Sequence, residues 1–300
     1  MPSHDLDLKL LRYFVAVVDE RSFTAASFEL HLSQPALSQA IQRLEAAVGS
    51  RLIERDSRRG PESFSLTTAG EVLYEEARSL LAGASRALNR VERAGGSRKK
   101  RTLQVGFSTS TPRALTDAAV RLGAEVDDVD VVLGHVPWDE EREQLLQGKV
   151  DLLFMQLADG SEIADVELYP LGEGARVAIL PRSHALAGRA SISLADLENE
   201  PILDASSDRD FWIANPRPGY PMPPIVGPPA RTVEEMMALV SAGRGMAITS
   251  AAVADNHGSS GLAFVTIVDL EPVTFALARM RGDHRAHVVD FARLIEKGVG

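Results

Sequence analysis

The alternation of short apolar runs with helical patterns over residues 102–300 constrains this chain more than any other feature. The runs of strand length are residues 103–107, 129–134, 150–156, 176–180, 246–249 and 273–280. Strands that alternate with helices build a parallel sheet with helices on its faces. The sequence therefore predicts an α/β domain in the C-terminal two-thirds of the chain.

Length and composition bound the remaining possibilities. Three hundred residues are about twice a typical domain, so two or three folding units are expected. Cysteine is absent, which excludes disulfides, iron–sulfur clusters, thiolate zinc sites and a cysteine nucleophile. Residues 1–9 lack the pattern of a secretory signal, and no stretch approaches the roughly 20 apolar residues of a membrane span. We expect a cytoplasmic protein with no membrane association.

The first fifty residues carry the periodicity of three short helices. Leu11, Phe14 and Val18 form one apolar helical face, and Asp19 follows it. Ser22 is placed to cap a second helix over about 23–30, because a serine side chain can accept from the free amides of a first turn. A third helix is predicted from about residue 33, with Pro35 in its first turn.

The third helix separates an apolar stripe from a polar face. Its buried stripe is predicted to be Leu37, Ile41 and Leu44. Pro35, Ser38, Gln39 and Gln42 fall on the opposite face, and Arg43 flanks it. Two short helices joined by a tight turn describe a helix-turn-helix, and Gln can bond adenine in the major groove. The periodicity alone fits a solvated face of an ordinary helical bundle equally well.

A basic hairpin follows the third helix. Residues 51–55 and 63–67 are separated by the turn-rich segment 56–61, which indicates a wing with Arg55, Arg58 and Arg59. Such arginines can lie along phosphates or enter the minor groove. The alternative is ordinary solvated surface.

Residues 69–94 contain no proline and carry an apolar stripe with a period of about 3.5 residues. A stripe of this length indicates pairing with a second copy, and packing within one chain is the alternative. The basic segment 95–101 then ends the helix and is interpreted as a hinge. The predicted dimerisation residues are Leu73, Ala77, Leu80, Ala84, Ala87 and Val91.

The distribution of charge does not by itself indicate DNA binding. The chain has a net charge of −10, yet residues 1–101 hold 16 Lys and Arg against 13 Asp and Glu. Residues 102–300 hold 16 against 29. The excess of acidic residues therefore belongs to the C-terminal part, and only the residue pattern can indicate DNA binding.

Residues 11–70 resemble the winged helix-turn-helix of LysR-type transcriptional regulators along their whole length. Matching segments are residues 14–18, 22–26, 32–38, 41–45 and 66–70, together with Gly49, Arg51, Leu52 and Arg55. Two departures are Ile53, where the family usually has Phe, and residues 60–62, which lengthen the wing. The resemblance implies a dimer, with a homotetramer as the commonest form, that binds an inverted-repeat operator in double-stranded DNA. It also implies that Ser33, Gln34, Pro35, Ser38, Gln39 and Gln42 face DNA, with Arg43 on a phosphate.

The resemblance also divides the chain into domains. It implies a winged helix-turn-helix over 1–68, a linker helix over 69–96, a hinge over 97–101 and an effector-binding domain over 102–300. The effector domain resembles a periplasmic solute-binding protein, with two α/β lobes joined by crossover strands near 163–170 and 264–270. The expected lobe bounds are 102–163 with 269–300 for the first lobe and 170–264 for the second.

On this architecture a small-molecule effector binds between the lobes, where strand and helix ends meet. The hydroxyl-rich loop 109–111 favours a small carboxylate or another polar metabolite. RNA polymerase is a candidate further partner. The predicted effector-binding residues are Thr109, Ser110, Thr111, Met155, Gln156, Asp204, Ala205, Ser206 and Thr249.

No pattern supports an enzyme or a cofactor. The sequence has no nucleophile elbow, phosphate loop or dinucleotide glycine fingerprint. His284 and His287 lie beside Asp283 and Asp290, but a polar helix start explains them better than a metal site does. The rival hypothesis is a small-molecule-binding or transport-type protein whose N-terminal helices mediate protein contacts, and the outer face of residues 33–43 distinguishes the two.

Overall fold

The computed structural model of the chain describes residues 6–54, 64–94, 100–157, 163–206, 208–215, 217, 219–257 and 261–299. The contacts divide the chain into two compact units, with the main boundary in sequence after Ala94. The N-terminal unit is helical, and the C-terminal unit contains two sheets of four or more strands. The predicted mixed fold class is confirmed.

Over its described residues the N-terminal unit contains four helices, and the second, third and fourth begin near their predicted positions. Ser22 caps the second helix by accepting from the Ala25 amide at 3.2 Å, as predicted. The third helix ends at Gly49, whose φ of 77° closes it in the left-handed region. The helices are α1 (Leu8–Asp19), α2 (Phe23–Glu29), α3 (Gln34–Val48) and α4 (Thr68–Ala94).

One hydrophobic core holds these helices together. Leu11 and Phe14 of α1 pack with Leu37 and Ile41 of α3, and all four side chains are at most 1 % exposed. The helical periodicity predicted these positions, because residues at steps of three and four share one face. The start of the wing is fixed by an antiparallel bridge between Ile53 and Leu66. Residues 55–63 lie outside the described part of the chain.

The first sheet of the C-terminal unit has the strand order β2-β1-β3-β11-β4. Its central strands are parallel, while β11 runs antiparallel to both of its neighbours. Helices α5 (Arg113–Glu125), α6 (Glu141–Leu146) and α10 (Ala286–Val299) accompany this first lobe. The strands are β1 (Arg101–Phe107), β2 (Val129–His135), β3 (Leu152–Leu157), β4 (Val166–Gly174) and β11 (Val273–Met280).

The second lobe is built around the sheet β6-β10-β5-β9, with the pair β7-β8 beside it. Its helices are α7 (Arg209–Trp212), α8 (Val233–Ser241) and α9 (Ala251–His257), and a short 3₁₀ turn covers Ala195–Leu197. The strands are β5 (Arg176–Pro181), β6 (Ser191–Ile192), β7 (Ile202–Ala205), β8 (Ile225–Ala230), β9 (Ala247–Ser250) and β10 (Leu262–Ile267).

The sheet topology changes the first predicted lobe boundary. Strand β4 pairs with β11 from Val166 to Gly174, so it belongs to the first lobe and is not itself the crossover. The chain passes to the second lobe at Ala175, and it returns over residues 268–272. The predicted first crossover at 163–170 therefore precedes the observed passage at Ala175, because β4 pairs along the sheet edge as far as Gly174.

The proline content of the segment 212–229 predicts an ordered loop, and the structure differs from that prediction. The segment contains β8, which includes Pro228 and Pro229. A proline lacks the amide that a ladder needs, so it is tolerated in a strand that has only one neighbour. Among the described strands, β8 pairs only with β7, and a register shift between Leu203 and Ala205 accommodates it.

Candidate functional site

The outer face of α3 is polar and open to solvent. Gln34, Pro35, Gln39, Gln42 and Arg43 are exposed, whereas the opposite stripe is fully buried. Ser38 is half-buried beside them. These side chains stand on one helix face whose single carboxylate, Glu45, is bonded to backbone amides, and such a face can hydrogen-bond to base edges in a major groove.

Ser33 lies at the start of this face and has a structural task of its own. Its hydroxyl accepts from the Ala36 amide at 3.4 Å, and it caps α3. The helix therefore presents its positive dipole end and its first side chains at the same place, which suits a phosphate.

The wing is anchored to α3 by a half-buried carboxylate. Oε1 of Glu45 accepts from the amides of Leu52 at 2.9 Å and Ile53 at 3.4 Å. Arg55, Arg58 and Arg59 fall in the segment 55–63, which lies outside the described residues. Their predicted contacts with DNA stay predictions.

The predicted dimerisation stripe on α4 has a buried part and an exposed part. Ala77 is fully buried in the core of its own chain, and Leu73 packs against the same core. Leu80, Leu88 and Val91 are 46 %, 66 % and 70 % exposed. Ala77 is therefore corrected to a core residue, because the first turns of α4 complete the N-terminal unit, while the distal turns leave large apolar side chains in solvent. Ala84 is half-buried and Ala87 is exposed.

A small cavity of about 20 Å³ lies between the two lobes of the C-terminal unit. Such a volume holds about one water molecule, so the lobes are closed around it. An adjoining cavity of about 60 Å³ is lined by Thr109, Ser110 and His135. The predicted residues that line the first cavity are Ser110, Gln156, Asp204, Ala205 and Thr249.

The polar groups of this cavity are already partly paired. Nε2 of Gln156 donates to the Ser110 carbonyl at 2.5 Å, while its Oε1 is buried without a partner. Oδ1 of Asp204 accepts from Nε of Arg209 at 2.6 Å, which neutralises that carboxylate locally. The cavity wall therefore offers an acceptor that requires a donor, since a buried polar atom without a hydrogen bond is costly.

Three predicted effector residues do not line either cavity. Thr111 is 5 % exposed, and its hydroxyl accepts from the Ser108 amide at 3.1 Å, which shapes the loop. Met155 is half-buried in β3. The hydroxyl of Ser206 accepts from Nε1 of Trp138 at 3.1 Å, so Ser206 ties the two lobes together.

Two aromatic side chains close the cavity, and sequence reasoning missed Trp138 of the two. Trp138 of the first lobe packs against the core of the second, and Trp212 of the second packs against the core of the first. Both line the cavity. Trp138 follows the carboxyl end of β2, the position where a ligand contact is expected in an α/β sheet, so its location was a usable signal.

Asn256 of α9 is a second missed residue. Its Nδ2 donates to the carbonyls of Thr109 at 2.9 Å and of Thr111 at 2.8 Å. A side chain of the second lobe thereby holds the backbone of the loop 109–111 in the first lobe. An ion pair between Arg231 and Asp139 at 3.3 Å adds a further tie between the lobes.

A carboxyl group with altered acidity stands beside the same loop. Burial raises the pKa of Glu141 to about 8, and the charge of Asp208 acts in the same direction. A hydrogen bond with the Ser108 side chain opposes this rise without cancelling it. Glu141 is thus largely protonated at neutral pH.

Other kinds of site find no support in the described part of the chain. Among the described residues, no group of three or more His, Asp or Glu side chains could hold a metal ion. None of the helices over these residues has the length and apolar character that a membrane crossing requires.

A helix-turn-helix unit with an exposed polar helix face, followed by a two-lobed domain that encloses a cavity, defines a ligand-responsive transcriptional regulator. The family model for the bacterial regulatory helix-turn-helix protein, lysR family, matches residues 8–71. The model for the LysR substrate binding domain matches residues 96–299. The chain belongs to the LysR family of transcriptional regulators.

Individual relatives agree with this assignment. The chain is similar to the uncharacterized HTH-type transcriptional regulator YnfL of Escherichia coli K12, with 30 % identity over 82 % of this chain and 83 % of that protein. It is 27 % identical to the HTH-type transcriptional regulator CatR of Pseudomonas putida over 93 % of this chain and 94 % of CatR. Full-length CbnR complexed with its target DNA has the same fold, with a TM-score of 0.54, 24 % identity and coverage of 98 % and 100 %. These relatives are regulators rather than enzymes.

Proposed function

We propose that the outer face of α3 reads base edges of an inverted-repeat operator. The observation that carries this proposal is a face of exposed Gln34, Gln39 and Gln42 that carries no exposed acid. Ser33 at the helix start and Arg43 at its flank are assigned to phosphates, as are Arg55, Arg58 and Arg59 of the wing. Base contacts give specificity, while phosphate contacts fix register.

The test replaces Gln34 and Ser38 with Ala in the full-length protein. Each lost base contact is expected to weaken operator binding by about 1–3 kcal/mol. Binding to unrelated DNA of the same length serves as the control, and it should be unchanged because phosphate contacts remain. A double variant that bound its operator as tightly as the wild type would refute the assigned face, and equal losses on both DNAs would point to misfolding.

Pairing of two chains through α4 is the second part of the proposal. Exposed Leu80, Leu88 and Val91 support it, because large apolar side chains in solvent mark a contact surface. Two heads related by a two-fold axis match the symmetry of an inverted repeat. We assign Ala84 and Ala87 to the same seam, and we take a homotetramer as the working assembly.

An effector is assigned to the space between the lobes. The unpartnered Oε1 of Gln156 calls for a ligand that donates a hydrogen bond. A carboxylate fits the start of α5, where Pro112 precedes the helix and no side chain caps its first amides. We therefore propose a small carboxylate that also carries a hydroxyl or amine, bound by Ser110, Gln156 and Thr249, with Thr109 beside it.

The effector acts by selecting one arrangement of the lobes. A cavity of about 20 Å³ is too small for a metabolite, so binding requires the lobes to separate or rearrange. Thermal unfolding of the full-length protein with a panel of small hydroxy and amino carboxylates tests this assignment, since a bound ligand raises the unfolding temperature. A carboxylate that raises the unfolding temperature of the Gln156→Ala and Thr249→Ala variants as much as that of the wild type would argue against this cavity as the binding site. We also propose that the protein acts in the cytoplasm. RNA polymerase is the further partner that we assign to the operator-bound regulator.

A further inference from the structure

Two arginines are buried in the second lobe outside the effector cavity. Arg176 is the first residue of β5, and Arg217 lies in the proline-rich segment before β8. They are only 3 % and 4 % exposed. Ser250, which is the register partner of Arg176 in β9, is fully buried with them.

The hydrogen bonds of both guanidinium groups go to backbone carbonyls. Arg176 donates through Nη2 to the Phe211 carbonyl and stacks over the Phe211 ring at 4.0 Å. Arg217 donates to the carbonyls of Ala214 at 3.3 Å and Ile213 at 3.1 Å. These acceptors surround the end of α7, and they carry only partial negative charge.

Three polar atoms of this group are buried without a hydrogen-bond partner. They are Nε of Arg176, Nη1 of Arg217 and Oγ of Ser250. Within the residues that the structure describes, no carboxylate lies within ion-pair distance of either guanidinium. Asp269 acts on Arg217 from further away, and both of its oxygens accept from the Leu194 amide.

The two positive charges also repel one another. Burial lowers the pKa of Arg176 to about 10, and the Arg217 guanidinium contributes to this shift. Burial lowers the pKa of Arg217 as well. Buried charges in proteins are normally paired, because an unpaired buried ion loses its hydration without compensation. Here two buried guanidinium groups donate to neighbouring carbonyls within residues 211–214 and have donors left unused, so they call for a negative partner.

We propose that Arg176, Arg217 and Ser250 form a binding site for a small anion, either an inorganic ion or a compact carboxylate. Two guanidinium donors and one hydroxyl donor supply the bonds, and the anion offsets the mutual repulsion of the arginines. The Arg176 guanidinium also lies 5.9 Å from the ring centroid of Trp212, whose side chain lines the effector cavity. The anion site is therefore behind the cavity wall, and it stands independently of the proposed effector.

The test measures thermal unfolding of the full-length protein at constant ionic strength. Gluconate, a bulky anion, is the reference, and it is replaced stepwise by chloride or by acetate. Saturable stabilisation by chloride identifies an inorganic anion, and saturation by acetate alone identifies a carboxylate. In Arg217→Met and Ser250→Ala variants we expect the apparent affinity to fall at least about tenfold. Ser250→Ala removes only a hydroxyl, so it remains informative if the arginine variant does not fold.

Arg189→Met is the matched control, because Arg189 is a surface arginine of the same lobe that pairs with Asp196. It should bind the anion as the wild type does. The absence of saturable stabilisation by both anions in the wild-type protein would overturn the proposal. So would saturation that persists equally in Arg217→Met and Ser250→Ala, since it would then arise from an adventitious surface site.

Discussion

At the scale of single residues, Glu141 is the group whose chemistry the fold changes most clearly. Its carboxyl lies at the start of α6 beside Ser108, and burial and Asp208 raise its pKa to about 8. In the unfolded chain the same group titrates near 4.5. Between these values the folded protein holds a proton that the unfolded chain has released.

This difference predicts how stability depends on pH. Because the folded state binds more protons in this window, the free energy of unfolding should decrease as pH rises from about 4.5 to about 8, and level off above it. Urea unfolding at intervals across the window measures the slope. A Glu141→Gln variant, which carries no proton to lose, should show a shallower decrease. Parallel curves for the two proteins would contradict the raised pKa.

Asn256 gives a second prediction at this scale. Its amide donates to the carbonyls of Thr109 and Thr111, so Asn256→Asp replaces a donor with a carboxylate that faces two acceptors. We expect Asn256→Ala to lose about 1–3 kcal/mol of unfolding free energy and Asn256→Asp to lose more. Chemical denaturation at pH 8 measures both. Equal losses would mean that the contact contributes packing but no directed hydrogen bonds.

How far residues are predictable from sequence depends on whether their role is local. The exposed residues of α3 follow from helical periodicity, because the same pattern that buries Leu37 and Ile41 turns Gln39 and Gln42 outward. Trp138 and Asn256 act across about 70 and 145 residues of sequence. The position of Trp138 after the carboxyl end of β2 could be used as a signal, but no local pattern encodes the distant partner of either side chain.

At the scale of elements, α4 contains two glycines that differ in the space available for a Cβ atom. A Cβ on Gly70 would lie 2.0 Å from the carbonyl oxygen of Leu52, which is backbone and cannot yield easily. A Cβ on Gly83 would meet only the end of the Arg86 side chain, at 3.5 Å. The first glycine allows close packing of the helix on the wing, and the second makes no comparable contact.

The pair gives a matched prediction on one helix. Gly70→Ala should destabilise the protein by about 1–3 kcal/mol through overpacking. Gly83→Ala should stabilise it by about 0.5–1 kcal/mol, because alanine loses less backbone entropy in a helix. Thermal unfolding of the two variants against the wild type distinguishes the effects. A neutral Gly70→Ala would show that α4 shifts away from Leu52 at little cost.

Sequence patterns identified most elements but misjudged two of them. Strand β8 was hidden because Pro228 and Pro229 read as a loop, and only its single-neighbour position makes them tolerable. Strand β4 was read as a crossover, although its pairing with β11 extends to Gly174. Both errors concern strands at sheet margins, where composition says least about pairing.

At the scale of the whole molecule, assembly through α4 is the property with the clearest consequence. Leu88→Glu places a charge in an apolar seam, so we expect it to disrupt pairing and to weaken operator binding at least about tenfold. Sedimentation velocity and operator titration measure the two effects. Val268→Glu is the control, since Val268 is 65 % exposed on the C-terminal unit. Unaltered pairing in Leu88→Glu would remove α4 from the proposed interface.

The two-lobed plan was predictable at this scale, whereas the closed state of the cavity was not. Alternating strands and helices define the lobes because each strand needs a covered face. The closing contacts depend on how Trp138 and Trp212 each enter the opposite lobe. That arrangement depends on side chains from distant parts of the chain meeting in one place.

The reciprocal insertion of these two side chains has an optical consequence. They are the only tryptophans in the chain, and both line the same cavity. Indole emission shifts to longer wavelength when water reaches the ring, so any separation of the lobes changes the colour and intensity of the intrinsic fluorescence of the whole protein. The protein thus carries an unlabelled reporter of lobe separation, and its emission under ultraviolet light can follow that change in real time without a chemical probe.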